Sequence, residues 1–431
     1  MSELGKVYIE TYGCSANKSD SEIMMGLLTN SGYSLVGNLK DADAVIINTC
    51  IVKTPTAKRM ERRIKDIYST GKSLIVAGCM AKAELERISK LAPNASVLTP
   101  NAIDKIVEVV EKVLAGERIV ADGESKEKVL MPKISFNNII SIVQISSGCL
   151  SACTFCETRI ARGILKSYRP SSILERIKED VKKGFKEFWI TSQDNSCYGF
   201  DINTNLAELL NAIVKIDGDF LIRVGMMNPV HLIKRRKLLE DLVQVFENEK
   251  IFKFVHLPLQ SGSNKVLRDM KRGYTVEEFL EVVEAFRRNL PEITLETDII
   301  VGYPTETEED FEKTIDVLKT IEPDVVNISK FFPRPKTPAE KLKPLSVEKI
   351  KERSRKVHEL VRNITLKKNM KYIGKTLNVF VDEIGKEKSY IGRTINYRPV
   401  VIKTEESVLG KLVNVEISDA KSNFLIGRIK I

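Results

Sequence analysis

The sequence predicts an α/β protein in three parts: a parallel-sheet α/β domain over residues 1–122, a partial (β/α)6 barrel over 135–366 and a small all-β barrel over 367–431. Three observations predict it. Short β-branched runs alternate with amphipathic stretches from Lys6 to Lys330, the rhythm of parallel strands joined by crossover helices. A polar, charge-rich stretch from Ala121 to Lys128, followed by Met131-Pro132, interrupts that rhythm and reads as a linker. From Lys375 the pattern shortens to alternating strands separated by turn residues, which suits a small β-barrel.

In the first part, Lys6–Glu10, Ala44–Asn48 and Ser73–Ala77 read as strands, with helices near Asp20–Thr29 and Thr56–Tyr68. Each strand runs into a cysteine: Tyr-Gly-Cys14, Asn-Thr-Cys50 and Ala-Gly-Cys79. Successive parallel strands release their C-terminal ends along one edge, so these thiols, 36 and 29 residues apart, are expected to converge. A free cysteine is often just a small buried hydrophobe, and one alone would be read that way. Three at the same topological point read as ligands of a metal cluster with one position unclaimed by protein.

The second part repeats strand and helix six times. Its strands are read at Ile139–Ile145, Glu187–Thr191, Phe220–Met226, Ile251–Leu257, Ile293–Val301 and Val325–Lys330. A helix is expected over Ser172–Lys183, with Ser172 and Glu175 as a capping box. Six βα units are too few for a closed eight-stranded barrel and suit an open one with its working groups at the C-terminal mouth. Directly after the first strand comes Ser-Ser-Gly-Cys149-Leu-Ser-Ala-Cys153-Thr-Phe-Cys156. Gaps of three and two residues let one short loop aim three thiolates at a single iron–sulfur cubane, leaving its fourth iron open. Structural zinc closes its tetrahedron with four protein ligands, and His231, His256 and His358 all lie far along the chain. Zinc or inert thiols remain the alternatives. The seventh cysteine, Cys197, is read as structural.

Leading into the third part is a basic helical pattern from Ser346 to Tyr372, carrying Lys349, Lys351, Arg353, Arg355, Lys356, Arg362, Lys367 and Lys368. Strands are expected near Leu377–Val381, Ser389–Asn396, Val400–Ile402, Leu412–Ser418 and Leu425–Ile431. Residues 366–431 hold 13 Lys/Arg against 7 Asp/Glu, more than half of the chain's formal excess of +10. That concentration favours nucleic-acid contact there, whereas 68 basic and 58 acidic residues overall also describe a solvated Lys-rich surface. No stretch reaches the roughly 18 unbroken apolar residues of a membrane span, and the N-terminus has no signal-peptide layout. Seven cysteines without a secretion signal argue against a disulfide framework and for a reducing cytoplasm.

With two cysteine triads and a basic appendix, the chain resembles the radical S-adenosylmethionine (SAM) methylthiotransferase family over nearly all of its 431 residues. Its cluster loop is similar to that of radical SAM enzymes, in which SAM chelates the open iron. The family joins a three-cysteine N-terminal domain, a radical SAM partial barrel and a C-terminal TRAM barrel that binds RNA. Branches acting on isopentenyladenosine of tRNA, or on an aspartate of a ribosomal protein, usually carry a proline a few residues after the third cysteine. Here that stretch is Cys156-Glu-Thr-Arg-Ile-Ala-Arg-Gly163. It resembles the archaeal and eukaryotic branch that modifies threonylcarbamoyladenosine beside the tRNA anticodon. So do Ile190-Thr-Ser-Gln-Asp-Asn-Ser-Cys-Tyr-Gly199, Arg223-Val-Gly-Met-Met-Asn-Pro229, His256-Leu-Pro-Leu-Gln-Ser-Gly262 and Asp324-Val-Val-Asn-Ile-Ser329. Two positions depart from the pattern: Gln193 replaces an acidic residue, and Thr305 replaces the Gly that follows Tyr-Pro.

The resemblance implies two [4Fe–4S] clusters and SAM as cofactors. Cys149, Cys153 and Cys156 would hold the cluster that passes an electron into SAM, giving a 5′-deoxyadenosyl radical that activates carbon 2 of the adenine. Cys14, Cys50 and Cys79 would hold the cluster that carries the sulfur, which a second SAM methylates. Candidate SAM contacts are the strand-end residues Ser192, Asp194 and Arg223, with Asp298 on the fifth strand; each is equally a strand-end hydrogen bond or salt bridge with no ligand. Arg159 and Arg162 suit the carboxylate of a threonylcarbamoyl group through charge-assisted hydrogen bonds. Implied partners are tRNA, an electron donor such as ferredoxin or flavodoxin, and a sulfur donor. Among rivals, an iron–sulfur electron carrier needs every iron ligated by cysteine, and a zinc-dependent RNA-binding protein does not explain two triads.

Overall fold

The computed structural model describes residues 4–51 and 54–430, the side chains of 54–57 aside, so Met1–Glu3 and the final residue of the last expected strand, Ile431, lie outside it. The N-terminal domain is one all-parallel, six-stranded sheet in the order Ser34–Leu35, Lys6–Thr11, Ala44–Thr49, Ser73–Gly78, Ser96–Leu98, Val120–Ala121. The three long strands match the sequence reading. The other three have two or three residues, too few to carry a period. Ala44–Thr49 is buried throughout, as expected of a central parallel strand covered on both faces. Alternate residues feed two cores: Val45, Ile47 and Val76 on one face, Ile46, Ile75 and Val7 on the other.

The six barrel strands are Ile140–Gln144, Glu187–Thr191, Leu221–Val224, Phe254–His256, Thr294–Val301 and Val325–Lys330. They form two three-stranded parallel sheets joined by a bridge from Ile222 to Ile251. The first and last strands do not pair, so the barrel is open. Helix Ser15–Asn30 of the N-terminal domain lies along the first strand, where Gln144 Nε2 donates to Ala16 O (3.2 Å) and Asp20 Oδ1 (3.0 Å). The stretch read as a linker is packed between the two units: Lys128 is buried and ion-paired with Asp20. The expected capping box at Ser172 and Glu175 does not form. Pro170 sets φ at the first helical position, the helix runs Pro170–Lys182 from Arg169 without a side-chain cap, and Ser172 is buried inside the first turn.

Helix Val347–Met370 starts at Ser346, whose side chain accepts from Lys349 N. Its basic face is partly structural, because buried Arg353 pairs with Glu306 (2.5 Å) and Glu308 (3.0 Å), and Lys368 pairs with Asp324 (2.6 Å). The last five strands, Thr376–Ile384, Ser389–Thr394, Pro399–Lys403, Leu412–Ala420 and Leu425–Ile429, close into a barrel around Val379, Val381, Ile402 and Ile417. This barrel is seated on the N-terminal ends of the large-barrel strands. Lys253 N donates to Ile395 O (2.8 Å), and the Tyr397 ring packs 4.7 Å from Phe252 and 5.1 Å from Phe254. The Tyr397 hydroxyl donates to Glu187 Oε1 (3.2 Å), and Arg398 pairs with Asp324 (2.5 Å). The small barrel therefore closes the base of the large one, opposite the cysteine loop. Among the described residues no helix is long and apolar enough to cross a membrane.

Candidate active site: two cysteine triads

Cys14, Cys50 and Cys79 follow three strands that are neighbours in the sheet, at their C-terminal ends. Asn17 ties the three loops together. Its Nδ2 donates to Tyr12 O (2.9 Å) and to Thr49 O (2.7 Å), and its Oδ1 faces Cys79 Sγ at 3.6 Å. Gly13 has φ +109°, and a Cβ there would sit 2.8 Å from Cys50 Sγ, so only glycine lets the first loop approach the second. Cys14 is exposed while Cys50 and Cys79 are buried, a pocket of thiols open on one side.

The second triad comes from one loop at the mouth of the barrel. The loop is pinched at its base by Ser146–Ser147 pairing with Lys166–Ser167 and by Cys149 N donating to Gly163 O (3.2 Å). Gly148 has φ +83°, and an added Cβ would run into Ile164 O. Each thiol has an N–H donor: Ser151 N on Cys149 (3.4 Å), Thr158 N on Cys156 (3.4 Å) and Arg272 Nη1 on Cys153 (3.1 Å). Burial pushes the Cys149 thiol up to about 12 and raises Cys156 and Cys79. Buried thiols of this kind shed their protons on coordinating a metal. Two pockets of three sulfurs, with N–H donors on several of them, fit two clusters that each keep an iron open.

The other sequence candidates are distributed differently. Ser192 stands at the end of the second barrel strand, its Oγ accepting from Asp194 N (3.2 Å). Asp298 Oδ2 lies 2.9 Å from His256 Nε2, on strands that face the barrel interior. Burial alone lowers the His256 imidazole, but its hydrogen bond to Asp298 and the charge of Glu296 leave it raised.

Asp194 lies close enough to the cluster loop for its charge to add to burial in raising the Cys149 thiol. It is buried, and its Oδ1 accepts from Ser196 N (3.0 Å), Ser196 Oγ (2.5 Å) and Asn228 N (3.0 Å), with His231 Nε2 3.4 Å from Oδ2. It braces the loop that contains Cys197, whose Sγ donates to Asp194 O (3.3 Å). Arg223 is half-buried; strand alternation points it into the barrel, where it stacks 4.9 Å from Phe254, 5.4 Å from Tyr397 at the base and 5.5 Å from Trp189.

Arg159 is exposed beside the cluster loop. Arg162 is not available to a substrate. It is 1% exposed and turns into the N-terminal domain, where Nη2 meets Asn17 Oδ1 and Asp20 Oδ2, both at 2.7 Å, and Nε meets Cys79 Sγ at 3.4 Å. Ala161 before it is buried in the N-terminal core, which dictates that turn. Gln193, one of the two departures from the family pattern, accepts from Gly148 N (2.7 Å) and so braces the cluster loop. Thr305, the other, donates to Asp269 Oδ2 (2.5 Å).

Sequence reasoning missed Asn17, Asp20, Lys128, Arg272 and His256. Asp20 and Asn17 sit in a polar helix turn that reads as solvent-facing, and Lys128 in an apparent linker. Only His256 carried a signal, as the first residue of the motif that ends at Gly262.

Comparison with known proteins agrees with this construction. Three family models match: the radical SAM superfamily over residues 143–318, the uncharacterized protein family UPF0004 over 6–99 and the TRAM domain over 370–430. The chain is similar to a radical SAM methyltransferase, TsrM from Kitasatospora setae, with a TM-score of 0.58 at 13% identity, over 78% of this chain and 74% of that one. That likeness concerns the fold. The fold, the cysteine loop and the matching models define a radical SAM enzyme.

Sequence relatives narrow this further. The chain is 45% identical to a probable threonylcarbamoyladenosine tRNA methylthiotransferase of Pyrococcus horikoshii, covering 89% of this chain and 90% of that protein. It is 41% identical to a counterpart from Archaeoglobus fulgidus over 98% of both. It is 36% identical to the human threonylcarbamoyladenosine tRNA methylthiotransferase, over 81% of this chain and 61% of that one. The chain belongs to the threonylcarbamoyladenosine tRNA methylthiotransferase family.

Proposed function

We propose that this chain adds a methylthio group to carbon 2 of threonylcarbamoyladenosine beside the tRNA anticodon. The observation that carries this beyond family membership is the pairing of two three-thiol pockets on abutting domains, linked through Arg162. Cys149, Cys153 and Cys156 hold one [4Fe–4S] cluster, and Cys14, Cys50 and Cys79 hold the other. With SAM, these groups supply one-electron bond cleavage, a sulfur atom and a methyl group, none of which side chains provide.

The chain's own residues hold and orient. Gly148 and Gln193 fix the loop geometry, and Arg272 donates to Cys153. Ser192 and the Asp298–His256 pair meet the methionine end of SAM. Arg159, the exposed cation beside the loop, meets the threonylcarbamoyl carboxylate. An isopentenyl group offers it nothing to pair with. Exposed Lys375, Lys411, Arg428 and Lys430 of the small barrel meet tRNA phosphates.

We assign residues 1–122 to sulfur delivery, 135–366 to SAM chemistry and 367–431 to RNA. Electrons come from a ferredoxin- or flavodoxin-type donor and sulfur from a separate donor, in the cytoplasm.

The test is anaerobic turnover with SAM and a strong reductant on tRNA carrying either threonylcarbamoyladenosine or isopentenyladenosine, with nucleosides read by mass spectrometry. A methylthio product on the first and little on the second is expected, and Arg159→Glu reduces that preference while sparing SAM cleavage. Preference for the isopentenyl substrate, or for a ribosomal protein, overturns the assignment.

A further inference from the structure

We infer that Arg162 positions and tunes the cluster held by Cys14, Cys50 and Cys79, although it belongs to the loop that carries the other triad; the inference rests on the two-cluster reading above. Arg162 ends the five-residue helix Thr158–Arg162, which begins two residues after Cys156. It thus stands at the far end of a rigid spacer whose near end is a ligand of the SAM-loop cluster. Its side chain crosses the domain boundary and places Nε 3.4 Å from Cys79 Sγ. Nη2 is saturated by Asn17 and Asp20. Nη1 is buried with no acceptor at all, a costly state for a charged donor.

The charge around it points the same way. Lys128 and Arg162 are both fully buried, and both pair with Asp20. Burial alone would raise the Asp20 carboxyl, but these two cations hold it below its usual range. Two buried cations thus share one carboxylate, and an uncompensated buried charge is strongly destabilising. A cubane held by three thiolates carries net negative charge. Held by Cys79 and its two partners, it would offset the surplus cation where Arg162 Nε already meets Cys79 Sγ.

A cation and an N–H donor on a ligand sulfur favour the reduced, more negative state of a cluster and strengthen its retention. Arg272 stands in the same relation to Cys153, at 3.1 Å, but within its own domain. Arg162 links the two sites, so filling the N-terminal pocket also fixes the end of the SAM loop.

The experiment uses the full chain with Cys149, Cys153 and Cys156 replaced by Ala, reconstituted anaerobically, so that the N-terminal cluster alone is read by electron paramagnetic resonance during a redox titration. Arg162→Gln is expected to shift the reduced-to-oxidised ratio at fixed potential about tenfold toward oxidised, ~59 mV for one electron. It should also speed iron loss to a chelator, and Arg162→Lys should restore most of the potential. The apoprotein of Arg162→Gln should melt no lower than its parent, because it loses the surplus buried cation while Lys128, Asp20 and Gln144 remain paired. An unchanged potential and iron retention in Arg162→Gln overturns the inference. So does an equal loss of thermal stability with and without the cluster, the mark of a purely structural arginine. A triple-alanine chain that takes up no cluster overturns the two-cluster reading, and this inference falls with it.

Discussion

The two triads reach the same donor set by opposite routes. Cys149, Cys153 and Cys156 come from eight consecutive residues held by a pinched loop. Cys14, Cys50 and Cys79 come from three strands, and their convergence depends on the whole sheet being in register. The first site is local in sequence, its loop braced from within the same barrel by Gln193 and Arg272. The second is a tertiary property, held by Asn17 hydrogen bonds and by an arginine from the neighbouring domain. Chemistry that starts a reaction sits on the local site, and the site proposed to deliver sulfur is the one that needs the domains assembled.

The largest effect that can break this comparison comes from the cysteines. Cys149→Ala should reduce 5′-deoxyadenosine formation to background. Cys14→Ala should leave SAM cleavage measurable and abolish methylthiolated nucleoside. Replacing all three loop cysteines should leave about half of the iron, the share of one cubane. If Cys14→Ala still made methylthio product, the N-terminal site could not be the sulfur carrier and the division of labour would collapse.

Next in size is the glycine that permits the distributed triad. Gly13→Ala forces a side chain into φ +109° and against Cys50 Sγ, and strained backbone of this kind costs about 1–3 kcal/mol before the clash is counted. Iron at the N-terminal site should fall to near nothing, while SAM cleavage persists. Gly37→Ala, where nothing lies within 4 Å, is the control. Equal iron in the two variants would show that the first loop need not approach the second.

The same contrast explains what the chain discloses before it folds. The loop triad was legible because its spacing is local, and the strand-end triad because parallel topology brings strand ends together. All six barrel strands and the five of the closing barrel followed from period and turn residues. Charge partners were not legible. Arg162 looked like a cation for the substrate because sequence shows its neighbour Cys156 and not Asp20, 142 residues away. Arg223 looked like a strand-end ligand group because nothing in its surroundings names Tyr397, which arrives from the last domain.

Smaller effects are expected at the closing barrel, which touches neither triad. Because Tyr397 and Arg398 are built into the base of the large barrel, deleting the barrel would uncover Phe252 and Phe254 and confuse RNA binding with folding. Charge reversal at exposed Lys411, Arg428 and Lys430 isolates the question. It should weaken tRNA binding and lower the salt slope by about 0.9 for each phosphate no longer neutralised, with SAM cleavage in the absence of tRNA unchanged. Full tRNA affinity in the triple variant would move the RNA site to the exposed side of helix Val347–Met370.

The smallest effect lies at the buried base itself and should leave both clusters alone. Burial, then the nearby Asp382 carboxylate, pushes Glu187 up to about 8, against opposing hydrogen bonds from Trp189 and Tyr397 and the charge of Arg393. Burial likewise raises Asp382 to about 6. In the unfolded chain Glu187 ionises near its ordinary 4.5, whereas the folded chain keeps the proton to about 8. Between these values the native state binds more protons, so stability falls as pH rises through that window. The contribution is fully present below about 4.5 and lost above about 8. Glu187→Gln keeps the hydrogen-bonding shape and removes the titrating carboxyl. Its thermal midpoint should therefore change less between pH 5 and pH 8 than the parent's, with the iron content of both sites unaltered. A parallel fall in both proteins would show that the carboxyl is already ionised in the native state and that the closing barrel does not dock on a protonated base.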